Sequence, residues 1–332
     1  MMEETLHQDN GTGFTVAIVM DGQLVFAQAV GDADRNHLLT PNARMRTGSV
    51  AKLFTAVAAA RLIEMNKLEL TTPAAALVPE LPNGGITFQH LGTHTSGIRH
   101  YDFQNFSEAN NRERYPNLTG ALEVFINDPL LFEPGSDFNY TSFGINLMGI
   151  MIERAYGAPY NEAINELIAQ PIALSSLAVD DIHAKVPCRS TFHSMAFGKI
   201  RINTPWRDNS DFYPSGGLVV NAADLALFTD AVFNSDFLQP ETVELFTKPV
   251  FTSDGEPTGY GFVWQIGRDE SGNIEWYGHG GSTNGAYASV RFYPETNMTV
   301  VGMSNYNYWL TSTRPKFFSL IREELPALFK DT

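Results

Sequence analysis

β-prone apolar runs crowd toward both ends of this chain, and apolar residues recur near helical spacing through its middle. Residues 14–20 (FTVAIVM) and 24–30 (LVFAQAV) are β-prone runs separated by Asp21-Gly22. A D-G pair supplies the positive φ angles of a tight turn, so the spacing predicts a hairpin. Toward the other end, residues 260–267, 274–277, 286–293 and 299–304 read as further strands, the last two joined through the turn-like stretch 294–297. A helical tail is expected over 314–329. Residues 49–66 (SVAKLFTAVAAARLIEMN) are rich in Ala, hold neither Pro nor Gly, and set Leu53, Val57, Leu62 and Met65 near helical spacing. They predict a long helix beginning at Ser49. Residues 143–156 and 160–168 predict two more, ended by Gly157-Ala158-Pro159 and by Gln170-Pro171. The sketch is an α/β, more narrowly α+β, protein: a sheet domain from residues 1–67 and 213–332, interrupted by a mostly helical insertion over 68–212.

Composition narrows the function classes. With 43% apolar and 18% charged residues, a chain of 332 residues has the make-up of a soluble globular protein and buries a large core. The net charge of −15 repels phosphate backbones and anionic lipid heads, which argues against nucleic acid as a partner. No run of 18 apolar residues exists, so no membrane span is expected. Cys188 is the only cysteine, which excludes an intramolecular disulfide and zinc held by paired thiolates. Residues 1–10 (MMEETLHQDN) lack the basic and apolar regions of a signal peptide. The expectation is a cytoplasmic protein if the chain is complete, and a periplasmic or secreted one if a leader was removed.

Candidate chemistry starts at Ser49 and Lys52. Residues three apart on a helix lie on one face, and a serine at a helix start sits where unpaired N–H groups give partial positive charge. A neighbouring amine with a pKa lowered by burial can deprotonate such a hydroxyl. S-x-x-K also describes an N-cap serine followed by a surface lysine, so the pair alone leaves both readings open. His90 and His94 have a spacing that can bind zinc on a helix, but Leu91 stands where the metalloprotease pattern needs Glu and Gly92 weakens the helix. No metal site is expected. Tyr101, Phe103, Trp206, Tyr213, Tyr306 and Trp309 are aromatic residues that could line an acyl pocket or simply pack.

Two further segments change the weight of Ser49 and Lys52. S-x-x-K at 49–52, Y-x-S at 140–142 and H-G-G at 279–281, in this order, resemble the motifs of the penicillin-recognising serine hydrolases: class C β-lactamases, D-Ala-D-Ala carboxypeptidases and related esterases. Residues 91–98 (LGTHTSGI), 132–140 (FEPGSDFNY) and 215–224 (SGGLVVNAAD) resemble further segments of that family, over roughly residues 14–310. The resemblance implies a β-lactamase/transpeptidase-like fold, an antiparallel sheet flanked by helices, with the site between sheet and insertion. It implies Ser49 as acylated nucleophile, Lys52 as acceptor or relay of its proton, and Tyr140 as second proton carrier, accepting from Ser49 and delivering to the leaving group, with Lys52 and His279 nearby to stabilise its phenolate or share the proton. It also implies an oxyanion hole from the Ser49 and Ser282 N–H groups, and Gly280 and Gly281 as a bare strand edge on which an extended acyl chain could lie. The family's longer N-terminal helix is cut short at residues 1–13, which is expected either to loosen one face of the sheet or to reflect truncation. One departure stands out: relatives carry Asn two positions after the tyrosine, and here it is Ser142. A hydroxyl offers one donor instead of two, so esters are expected to be held better than amides.

The expectation is therefore a serine hydrolase, acting through an acyl-enzyme without metal or organic cofactor on a small ester, β-lactam or D-peptide. A non-catalytic binding homologue of the same fold is the alternative, and the oligomeric state is open.

Overall fold

The first strand is an almost continuous apolar run, and it is covered on both faces. The computed structural model describes residues 1–332 apart from 83, 103, 104, 106, 107, 109, 205, 310, 312, 313, 331 and 332. It begins with helix α1 (Met2–Gln8), strands β1 (Gly13–Met20) and β2 (Gln23–Gly31), and helix α2 (Ala51–Glu64). Helices α3 (Ser142–Tyr156) and α4 (Ala222–Asn234) follow, then strands β3 (Gln265–Arg268), β4 (Ile274–Thr283), β5 (Ala286–Tyr293) and β6 (Met298–Ser304). The six strands form one antiparallel sheet in the order β2-β1-β6-β5-β4-β3. Along β1, Phe14, Val16 and Ile18 join a cluster with Phe317, Leu320 and Ile321 of the C-terminal tail, while Ala17 and Val19 belong to a second cluster with α2 and α4. The Asp21-Gly22 turn takes the positive φ angles expected of it, +47° and +77°.

Three expectations shift. Helix α2 starts at Ala51, after a 3₁₀ turn over Gly48–Val50, so Ser49 stands just ahead of the helix. The strand expected over 260–267 shrinks to β3, because Val263 takes a left-handed φ of +69° and Phe262 turns aside to pack on Phe88 and Phe246. The strand expected over 274–277 instead runs on to Thr283, with His279, Gly280 and Gly281 paired to Val290, Ser289 and Ala288.

The short N-terminal segment does not loosen its face of the sheet. Asp9, fully buried behind α1, accepts the Lys316 and Phe317 N–H groups at 2.6 and 2.9 Å and the Tyr306 hydroxyl at 2.7 Å. Its carboxylate thus satisfies the first unpaired donors of the helical tail, which runs from Lys316 through a π turn at Leu320–Glu324 to Lys330.

Helix α2 passes through the middle of the molecule. Every residue from Ala51 to Ala60 is buried, since small alanines let neighbours close in from all sides. One apolar cluster joins α2 to the sheet and to α3, and the Ser49 turn sits where that cluster meets the end of β4.

Candidate active site

Two glycines bring the Ser49 turn against β4. Gly48 has φ +49°, and a Cβ there would stand 2.9 Å from the Ser282 nitrogen. A Cβ on Gly281 would stand 2.0 Å from the Thr47 carbonyl oxygen and 3.2 Å from the Ser49 nitrogen. The strand and the turn therefore meet backbone to backbone, with the amides of Ser49 and Ser282 close together. This revises the expectation for the bare strand edge: Gly281 is required by the Thr47 carbonyl, whereas Gly280 faces the end of Arg322, whose Nη2 would lie 3.2 Å from an added Cβ.

Lys52 points back at the serine. Its Nζ donates to Ser49 Oγ at 3.1 Å and to the Ser215 carbonyl at 2.6 Å, and lies 5.0 Å from the centre of the Tyr140 ring. The side chain is fully buried, and burial holds its pKa well below the ordinary lysine value, which favours the neutral amine. Tyr140 is hydrogen-bonded to Ser49, yet burial first and Tyr260 second raise its pKa above the usual 10. It stands at the serine as a neutral phenol rather than as a phenolate.

Three imidazoles surround this pair, and all are held neutral. His279 is buried, its Nδ1 2.6 Å from the Gly280 carbonyl, with a pKa pushed down to about 3 by burial and by Lys52 nearby. It packs 6.1 Å from the Tyr140 ring and carries no charge with which to hold a phenolate. His94 has a left-handed φ of +57°, packs 4.7 Å from the Tyr140 ring and accepts the Thr141 N–H. His100 accepts the Ser142 N–H, and burial brings its pKa down to about 4. The motifs give no site role to His94, His100, Ser215 or Tyr260. The only signal for His94 was its place in the L-G-T-H-T-S-G-I segment.

Ser49 opens onto two clefts. One, of about 170 Å³, is lined by His100, Tyr101, Ser142, Arg207 and Phe212. The other, of about 530 Å³, is lined by Tyr140, Tyr260, Gln265, Gly280, Arg314 and Arg322. Ser142 is buried at the start of α3. Of the other aromatic candidates, Tyr213 lines a separate cavity, Tyr306 is buried on Asp9, and Trp206 is exposed against His183. Phe103 and the Trp309 side chain lie outside the described residues. His90 and His94 accept from different backbone amides, those of Thr87 and Thr141.

The structure brings Ser49, Lys52 and Tyr140 together beside Ser282, with Tyr140 and His279 neutral rather than as a phenolate and its partner. The model of the Beta-lactamase family, a family of serine hydrolases, matches residues 1–319. The chain belongs to the Beta-lactamase family. Among curated relatives, the human mitochondrial serine beta-lactamase-like protein LACTB is 27% identical over 323 residues, covering 72% of this chain and 59% of its own length. The esterase EstB of Burkholderia gladioli is 29% identical over 192 residues, covering 52% of this chain and 48% of the esterase. This chain thus spans about half to three fifths of the length of these two relatives. Among solved structures, a penicillin-binding protein from Bacillus halodurans superposes with a TM-score of 0.82 at 22% identity, covering 99% of both chains. That likeness shows the β-lactamase/transpeptidase-like fold.

Proposed function

We propose that this protein is a serine hydrolase that forms an acyl-enzyme at Ser49, with small esters as its favoured substrates. The observation that carries the reading is Lys52 Nζ, buried and favoured as the neutral amine, 3.1 Å from Ser49 Oγ. As Oγ bonds to the acyl carbon, its proton passes to Lys52, and the negative oxygen that develops is met by the Ser49 and Ser282 N–H groups. The bond from acyl carbon to leaving oxygen then breaks. Tyr140 gives its proton to that oxygen and is refilled from the Lys52 ammonium, so no phenolate persists. Water then attacks the acyl-enzyme by the same route in reverse.

Ser142 supports esters over amides, because its single hydroxyl replaces the two-donor amide that the family's pattern provides. The likeness to an esterase points the same way. Arg314 and Arg322, lining the larger cleft, favour neutral or anionic leaving groups over cationic ones. The test is burst kinetics with p-nitrophenyl butyrate. An acyl-enzyme releases a burst approaching one equivalent of nitrophenol when deacylation is the slower step, and Ser49→Ala releases none. A wild-type chain with no turnover would favour the non-catalytic alternative.

A further inference from the structure

Strand β3 stops short of the nucleophile. Its last pairing with β4 sets Gln265 opposite Gly278, and β4 continues from His279 to Thr283 with β5 as its partner on one side only. On the other side, the Gln265 side chain stands where the next peptide of a strand would stand. Its Oε1 accepts the Gly280 N–H at 3.3 Å, and its Nε2 donates to the Tyr260 hydroxyl at 2.7 Å. Tyr260 is further tied to Gln265 by a backbone bridge. Gln265, Tyr260, Gly280 and Ser282 line the same cleft as Ser49.

Successive residues of a strand present their N–H groups to alternate edges, so Gly280 and Ser282 offer theirs on the same side. An extended ligand that adds to this edge, with its carbonyl at the Ser282 amide, brings its next polar group toward the Gly280 amide. That donor is already taken.

We propose that Gln265 is a latch on this strand edge, its amide filling the Gly280 donor that a carbonyl in the leaving group would otherwise occupy, so that it determines which leaving groups the site prefers. The inference rests on acylation at Ser49. A compact alcohol departs with the latch in place. A leaving group with its own carbonyl docks at Gly280 only when Gln265 swings away, giving up its bond to Gly280 and, if the side chain moves as a unit, its bond to Tyr260. Losing a neutral hydrogen bond costs a factor of roughly 2 to 10 in the relevant ratio.

The experiment compares two esters of the same acyl group, phenylacetate, one with ethanol and one with glycolamide as leaving alcohol. The ratio of kcat/KM for the glycolamide over the ethyl ester rises roughly 2- to 10-fold in Gln265→Ala relative to wild type. Hydrogen exchange at the Gly280 amide, read by NMR, also quickens in the variant. An unchanged ratio in a stably folded variant overturns the latch, as does unchanged exchange at Gly280. Should neither ester be turned over by the wild-type protein, the acyl-enzyme reading fails, and the exchange measurement alone decides the latch.

Discussion

Gly281→Ala perturbs the site at a point where the surroundings cannot yield cheaply. The added Cβ would stand 2.0 Å from the Thr47 carbonyl oxygen, and Cβ atoms essentially never approach other atoms closer than 3.0 Å. Relief therefore needs about 1 Å of separation between β4 and the Ser49 turn, both of them backbone. That movement pulls apart the two amides proposed to hold the oxyanion. Misplacing a catalytic group by about 1 Å costs on the order of 10²-fold, and losing an oxyanion donor costs about 10²- to 10³-fold. Acylation by a chromogenic ester in Gly281→Ala is expected to slow by about 10²- to 10³-fold. Overpacking also costs about 1–3 kcal/mol of stability, so a denaturant melt accompanies the kinetics. Gly120→Ala is the control: it lines neither cleft at Ser49, its Cβ meets nothing closer than 3.5 Å, and acylation should change by less than about threefold. A Gly281→Ala variant that acylates at the wild-type rate would mean that the contact of β4 with the Thr47 carbonyl does not set the oxyanion site.

The other predictions follow from the same geometry. Lys52→Met and Tyr140→Phe each lower the acylation rate by at least about 10²-fold in stopped-flow burst measurements, and near-wild-type bursts remove that residue from the mechanism. The wild-type acylation rate rises with pH and levels off well below the ordinary lysine pKa of 10.5, because the neutral amine is the active form; a limb centred near 10.5 argues against Lys52 as base. His279 has a folded pKa of about 3, below its unfolded value near 6.5, so its contribution to stability is full above pH 6.5 and is lost as pH falls toward 3. In His279→Gln, the loss of unfolding free energy between pH 7 and pH 4 should be smaller by about 3 kcal/mol, and equal losses in both proteins contradict a neutral buried imidazole. Asp9→Ala removes the acceptor of the Lys316 and Phe317 amides and should lower stability by about 2–4 kcal/mol in urea melts, whereas an unchanged midpoint means that the tail helix is held otherwise.

What could be read from sequence was what local spacing encodes. The i,i+3 relation of Ser49 and Lys52, the D-G turn and the β-prone run of β1 all act within a few residues, and they reappear in the structure. The sheet and its helical neighbours were legible for the same reason. What escaped depends on long-range contacts. Val263 looks like any strand residue until the pull of Phe88 and Phe246 on Phe262 sets its backbone left-handed. Gly281 reads as an open edge until the Thr47 carbonyl, far away in sequence, closes on it. Asp9 carries no local sign that it caps a helix more than 300 residues later. The neutrality of His94, His100 and His279 follows from burial beside Lys52, which no spacing announces.

Whether Ser49 is a nucleophile activated by its neighbour at neutral pH is read from peptide-mapped mass spectrometry after brief exposure to a fluorophosphonate. One adduct per chain is expected, located on Ser49, formed quickly at pH 7 in the wild-type protein and far more slowly in Lys52→Met. An adduct on another serine, or none under conditions where the protein is folded, would contradict it.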